Sequence, residues 1–273
     1  MTLNELPVTH GVVQSADAER FAREQNIDVA KLMTMLLPLA ASFARPPVSN
    51  FRVGVVTRGT TTGNLYFGAN VEFAKEALSF TVHAEQSSVT NAWMHGEEGI
   101  DLLAVNVPPC GYCRQFLNEL TTASQLQITM PEDSQPLTAL LPHAFGPRDL
   151  GVQGGLMQRE SHSFAIDADD DVARAALDAA SRSYAPYSNA YAGVALRVTD
   201  GTIVSGAYAE NAAFNPSISP LEVALSMLNL RGYGWDAIND AVLVEAKPMH
   251  ANATRVVLAA VSSVALRVVT PKG

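Results

Sequence analysis

Cysteine is almost missing from this chain: two of 273 residues, Cys110 and Cys113. That excludes a disulfide framework, and with no thiol to spare a reducing compartment is expected, so the protein reads as cytoplasmic. Positive charge is also short, with 18 lysines and arginines against 27 aspartates and glutamates and a formal net charge of −9. A surface of that sign repels polyanions on average, which argues against a nucleic-acid partner and for a small, nearly neutral one. No long hydrophobic run is present. The nearest candidate, Val29 to Ala44, falls short of about 18 residues and holds Lys31 and Pro38, so a buried helix is expected there and no membrane span. No basic segment leads into an apolar core at the start, so no signal peptide is expected. Disorder is not indicated either, since 48% hydrophobic and 16% charged residues suit a globular chain of one or two domains with a sizeable core.

Both cysteines fall in one stretch with a histidine and a glutamate: His83-Ala-Glu85, then Pro109-Cys110-Gly-Tyr-Cys113. Two thiolates and an imidazole give three protein ligands, and a tetrahedral zinc ion held by three keeps one position open, which is the catalytic arrangement. A redox dithiol or a pair of small core residues would explain the cysteines alone, but neither needs the upstream His-x-Glu. Pro108-Pro109 suits the first position of a helix, whose N-terminus favours thiolates. Glu85 and His83 would point about 200° apart in a regular helix. They can share a site only if the helix starts near His83, which makes Glu85 a proton carrier beside the metal and not a ligand.

His-x-Glu followed by Pro-Cys-x-x-Cys resembles the signature of the zinc nucleoside and nucleobase deaminases. With Ser49-Asn50-Phe51-Arg-Val-Gly54, Gly68-Ala-Asn70-Val-Glu72-Phe73, His83-Ala-Glu85-Gln86 and Cys110-Gly-Tyr-Cys113-Arg-Gln115 in order, the chain is similar to cytidine deaminases. Its length and Ala144-Phe145-Gly-Pro-Arg-Asp149 look like the long, homodimeric bacterial form. The resemblance implies a three-layer αβα sandwich around a mixed sheet, one zinc ion per chain on His83, Cys110 and Cys113, and Glu85 as the catalytic acid and base. It further implies that Phe51 packs on a pyrimidine ring, that Asn70 and Glu72 bind the ribose 3′-hydroxyl, that Ala84 contacts substrate, and that Phe145 reaches a partner subunit's site. By residue type alone, Phe51 also fits a core position, and Asn70 and Glu72 fit loop caps. Arg114 suits either a donor to a thiolate or a surface ion pair. His95, His143 and His250 show no partner in the sequence and read as structural.

Along the chain, helices are expected at Ala16–Gln25 and Asp28–Ala41, a strand at Phe51–Thr57, a hairpin loop at 59–64, a returning strand at Leu65–Phe67, and a helix from His83. A buried strand, Asp101–Val107, should feed the cysteine helix, with another at Leu126–Met130: an α/β class fold. This gives an N-terminal helical extension (1–27), a catalytic zinc domain (28–150), a glycine-rich linker (151–168) and a second domain (169–273), whose first helix Asp170 or Asp171 can cap. That second domain repeats the first. Pro47-Val-Ser49-Asn50-Phe51-Arg-Val-Gly54 recurs as Pro186-Tyr-Ser188-Asn189-Ala190-Tyr-Ala-Gly193, and Gly68-Ala-Asn70 loosely as Ala209-Glu-Asn211. Pro220-Leu-Glu222 is expected where His-x-Glu belongs, and no cysteine follows, so the copy should hold no zinc, leaving Glu222 and Asn211 structural. The expected reaction is hydrolytic deamination of cytidine and 2′-deoxycytidine in pyrimidine salvage. The alternatives are a deaminase of other amino-pyrimidines or of cytosine in single strands, and a zinc-stabilised assembly protein without turnover.

Overall fold

A computed structural model describes residues 2–167 and 170–272. Ala168 and Asp169, where the linker should end and the second domain begin, lie outside them. The chain folds as two units: the described residues of 1–71, 82–158 and 211–216 form one, and those of 72–81, 159–210 and 217–273 the other.

The first unit holds β1 (Val12–Val13), α1 (Ser15–Gln25), α2 (Val29–Ser42), β2 (Gly54–Gly59), β3 (Leu65–Ala69), α3 (Ala84–Met94), β4 (Ile100–Val105), α4 (Gly111–Leu117), β5 (Gln127–Thr129), β6 (Ser134–Pro136) and α5 (Leu137–Leu140). Its sheet runs β1-β3-β2-β4-β5-β6, antiparallel except for the parallel pair β4–β5. Two glycines set the layers. Gly54 pairs with Ala69, and a Cβ on Gly54 would come within 2.4 Å of the Ala41 nitrogen in α2. Gly68 pairs with the next residue, Val55, and a Cβ there would come within 2.2 Å of the Ala84 carbonyl in α3. Adjacent strand residues face opposite ways, so α2 and α3 cover opposite faces and the unit is a three-layer αβα sandwich. The apolar run noted in the sequence is α2, with Leu32, Met33, Leu36, Leu37 and Ala40 buried. No helix of the described residues is long and apolar enough to cross a membrane.

The strand at 51–57 begins three residues later than its alternation suggests. Asn50 takes a left-handed conformation (φ +57°), and ladder pairing starts only at Gly54, leaving Phe51 outside the sheet and 55% exposed. Nor does the stretch after 150 run free. Leu156 is fully buried and exchanges backbone bonds with α4's end, its N–H donating to the Glu119 carbonyl (2.8 Å) and its carbonyl accepting from Thr121 (3.1 Å), so chain up to Gln158 packs in the first unit.

The second unit holds α6 (Asp171–Ser181), β7 (Ala192–Val198), β8 (Ile203–Ala207), α7 (Pro220–Leu230), β9 (Ile238–Glu245), α8 (Ala251–Val261) and β10 (Leu266–Val269), with sheet order β10-β9-β7-β8 and only β10–β9 parallel. Asp170 is the cap of α6, accepting from the Ala173 N–H at 2.9 Å. Gly193 faces α6 and Gly206 faces α7, as Gly54 and Gly68 face α2 and α3, so the sandwich is duplicated.

The duplication fixes a register that differs from the sequence match. Asn50 and Asn189 are both left-handed, so the first motif aligns as read. The second does not. Gly206 takes the place of Gly68, and the bridges Tyr184–Ala209–Ile218 repeat Arg45–Val71–Val82. Tyr208 therefore stands for Asn70, Glu210 for Glu72, Ser219 for His83 and Leu221 for Glu85. Glu222, matched with Glu85 in the sequence, is the counterpart of Gln86. Like Gln86 it closes a capping box, accepting the N–H of the helix-cap residue, here Ser219, at 2.9 Å. Polar residues of this half bond its own backbone. His250, at the cap of α8, holds the Ala190 carbonyl through Nε2 at 2.9 Å, and Glu210 accepts the Tyr187 N–H at 2.8 Å.

Burial pushes the Glu222 carboxyl up to about 7, against the bonds from Ser219 that favour its charge. Its folded value lies above the ordinary 4.5, so the neutral acid is favoured and stability falls as pH rises from about 4.5 through 7. Glu222→Gln should therefore match the parent at pH 5 and exceed it in denaturant midpoint at pH 8. Parallel curves for the two proteins across that range would refute this.

Candidate metal centre and active site

The helix α3 starts where the chemistry needs it. His83 caps α3 with extended dihedrals (φ −77°, ψ 152°), so its side chain leaves the helix axis while Glu85 sits in the first turn. Gln86 closes the cap by accepting the His83 N–H at 3.2 Å. Cys110 caps α4 in the same way, its Sγ facing the Cys113 N–H at 3.5 Å. The first residue of α4 is Gly111, so Pro108 and Pro109 precede the cap and do not open the helix.

These caps meet. The Cys110 and Cys113 sulfurs are 3.5 Å apart, and His83 Nδ1 lies 3.7 Å from the first and 3.3 Å from the second. Zinc bonds of about 2.3 Å to sulfur and about 2.0 Å to nitrogen in tetrahedral geometry require edges of about 3.5–3.8 Å, within about 0.3 Å of those seen, so the triangle fits the ion. Among the described residues it is the group of histidine, cysteine and acidic ligand atoms gathered within 4.8 Å of one another. The electrostatics fit too. Hydrogen bonds from Cys113 and His83 hold Cys110 down to about 3, whereas the bond to Cys110, then burial, pushes Cys113 far up. Two thiolates this close cannot both ionise on their own, and a dication between them removes the conflict. Burial would lower the His83 imidazole, but the bond to Cys110 and the charges of Cys110 and Glu85 outweigh it and raise it.

Glu85 is 4% exposed, interacts with Cys113, and has its carboxyl raised by burial above all. Tyr112 stacks on the His83 ring (centroids 4.9 Å, interplanar 26°). Ala84 is buried at the start of α3. Asn70 uses its side chain on the Phe51 turn, Nδ2 donating to the Phe51 carbonyl and Oδ1 accepting from the Val53 N–H, both at 2.9 Å. Each amide end keeps capacity for one further bond. Glu72 is also buried, in the segment 72–81 that belongs to the second unit. Phe145 is 47% exposed, its carbonyl taking bonds from Gln115 (2.9 Å) and Asn118 (3.0 Å). Arg114 is neither thiolate donor nor surface ion pair: it braces the Pro109 and Leu140 carbonyls, each at 2.9 Å. His95 bonds the Asn91 carbonyl through Nδ1, a structural role.

A segment that the sequence does not point to completes the site's surroundings. Asn211–Pro216, nearly a hundred residues beyond α4, lies in the first unit. Tyr112 donates to the Asn215 carbonyl (3.1 Å), and Gln86 Nε2 to the Pro216 carbonyl (3.1 Å), so both residues that touch His83 also hold this segment.

His83 at the cap of α3, with Cys110 at the cap and Cys113 in the first turn of α4, forms a candidate zinc centre of the deaminase class beside the buried Glu85. Residues 27–129 match the family described as the cytidine and deoxycytidylate deaminase zinc-binding region, and residues 137–257 match a second family of that description. Named cytidine deaminases are similar along most of the chain. That of Aliivibrio fischeri is 46% identical over 236 residues, covering 86% of this chain and 79% of the relative. That of Photorhabdus laumondii is 46% identical over 253 residues (91% and 86%), and that of Cronobacter sakazakii 44% over 268 (97% and 90%). The chain belongs to the cytidine deaminase family.

Proposed function

We propose that the first unit catalyses hydrolytic deamination of cytidine and 2′-deoxycytidine to the uridine nucleosides, releasing ammonia. The observation that carries this reading is the buried Glu85 carboxyl beside a triangle of His83, Cys110 and Cys113 with edges of 3.3–3.7 Å. Zinc bound there lowers the pKa of a water from about 16 to about 7, supplying a nucleophile at neutral pH. His83, Cys110 and Cys113 hold the ion. Glu85 takes the proton of the attacking water, passes it to ring N3 as C4 is attacked, and then carries a second proton to the departing amino group. Its raised proton affinity suits both transfers, because acceptor and donor forms are then close in energy. Phe51 packs on the pyrimidine, Ala84 lines its edge, and Asn70 and Glu72 take the ribose 3′-hydroxyl.

In this reading residues 1–27 are an extension, 28–150 the catalytic domain, 151–168 a connection whose first part, up to Gln158, packs in the first unit, and 169–273 a copy without a metal site. The protein works in the cytoplasm as a homodimer in pyrimidine salvage, with Phe145 serving the neighbouring subunit. The test is chromatography of protein incubated with cytidine, 2′-deoxycytidine, free cytosine and a cytosine-containing single strand. Both nucleosides should be converted. Cytosine should be at least about 100-fold slower, because sugar-binding groups left unpaired are costly. Conversion of the strand in preference to the nucleosides would overturn the reading.

A further inference from the structure

Glu119 lies two residues beyond the end of α4 and is completely buried. Its backbone is fixed on both sides: its N–H donates to the Phe116 carbonyl (3.1 Å), its carbonyl takes the Leu156 N–H (2.8 Å), and Gly155 comes so near that a Cβ there would lie 2.4 Å from that oxygen. The side chain, so anchored, accepts the backbone N–H of Ala212 on Oε2 at 2.8 Å. A carboxyl group has no packing reason to occupy a fully buried position, and a buried amide N–H without an acceptor is costly, so each group answers the other.

The neighbouring bonds follow a pattern. Gln115 and Asn211 bond each other twice, Asn211 Nδ2 to the Gln115 carbonyl (3.0 Å) and Gln115 Nε2 to Asn211 Oδ1 (3.3 Å), while Tyr112 holds the Asn215 carbonyl. Tyr112 and Gln115 lie on one side of α4, and Glu119 follows in the turn after it. The helix that carries Cys113, together with the turn that follows it, thus grips segment 211–216.

We infer that Glu119 is a positioning residue for the proposed reaction. It clamps Asn211–Pro216 so that Tyr112 and Gln86, which set the His83 ring and backbone, stay in place beside the bound nucleoside. The inference rests on the deaminase reading, and its test separates the two. Hydrogen exchange is followed for amides 209–217 in the full chain, together with zinc content and KM and kcat for cytidine, in the parent, Glu119→Ala and Glu119→Gln. Loss of a buried carboxyl acceptor should speed exchange at 212–215 by about tenfold or more while β7 and β9 are unchanged. KM should rise about tenfold with a smaller fall in kcat, zinc staying at about one per chain, and glutamine, whose amide oxygen still accepts, should restore most of both. Unchanged protection in Glu119→Ala, or equal losses in both variants, would overturn the clamp. Should Glu119→Ala not fold, Asn211→Ala decides: faster exchange with raised KM supports the clamp, and parent-like values refute it. If the parent protein does not act on cytidine, the functional reading fails and the exchange rates alone judge the clamp.

Discussion

Glu85→Gln retains about one zinc ion per chain and lowers kcat for cytidine by about 10²–10⁴-fold, the usual worth of a positioned acid and base. Glutamine fills the same volume in a site where the native side chain is 4% exposed, so packing is kept. It also removes a negative charge that raises the proton affinity of Cys113, which makes that ligand easier to ionise and leaves metal binding intact. What disappears is the proton shuttle. Steady-state kinetics beside metal analysis checks both halves; activity within a few-fold of the parent would place the proton carrier elsewhere.

Cys113→Ser acts on the metal itself. The native sulfur is fully buried, 3.5 Å from Cys110 and 3.3 Å from His83 Nδ1, at a corner of the triangle that no other side chain can supply. A serine hydroxyl stays protonated near neutral pH and is a poor zinc ligand, so two protein donors remain where a tight site needs at least three. Even partners one step removed from a metal cost about 10–100-fold in affinity when mutated, so losing a ligand should cost more than about 100-fold. Metal analysis after dialysis against a weak chelator should find the variant empty and the parent loaded, with turnover lost in step. A loaded, active variant would mean that zinc is held by another set.

The candidate zinc centre was legible in the sequence because its residues fall in local pairs. His83 and Glu85 share a helix start, where the extended cap lets residues two apart serve one point, and Cys110 and Cys113, three apart, share another. The sandwich was legible for a similar reason, since alternating and periodic runs mark its layers. Phe51 was harder: its turn depends on bonds from Asn70, nineteen residues away, which end the strand before it. The repeat was misaligned in its second half because Ala209-Glu-Asn211 imitates Gly68-Ala-Asn70 in letters. The true equivalence rests on which glycine lets a helix backbone approach, Gly206 or its neighbours, and that is a fact of packing. Nothing near Glu119 in the sequence points to Ala212, 93 residues on.

Segment 211–216 carries a consequence for how this chain could have arisen and what it can lose. A duplicated enzyme gene is ordinarily free to discard its idle copy, and the second half here has already given up its histidine and cysteines. Yet six of its residues are built into the active half, between stretches that belong to the other. Deleting everything after Gln158 would remove the Asn215 and Pro216 carbonyls that Tyr112 and Gln86 bond, and the Ala212 N–H that Glu119 accepts. A half of the chain without the His-x-Glu and the cysteines therefore still supplies bonds to the helix that carries the two cysteines, and the residues that make those bonds are tied to the first unit's fold.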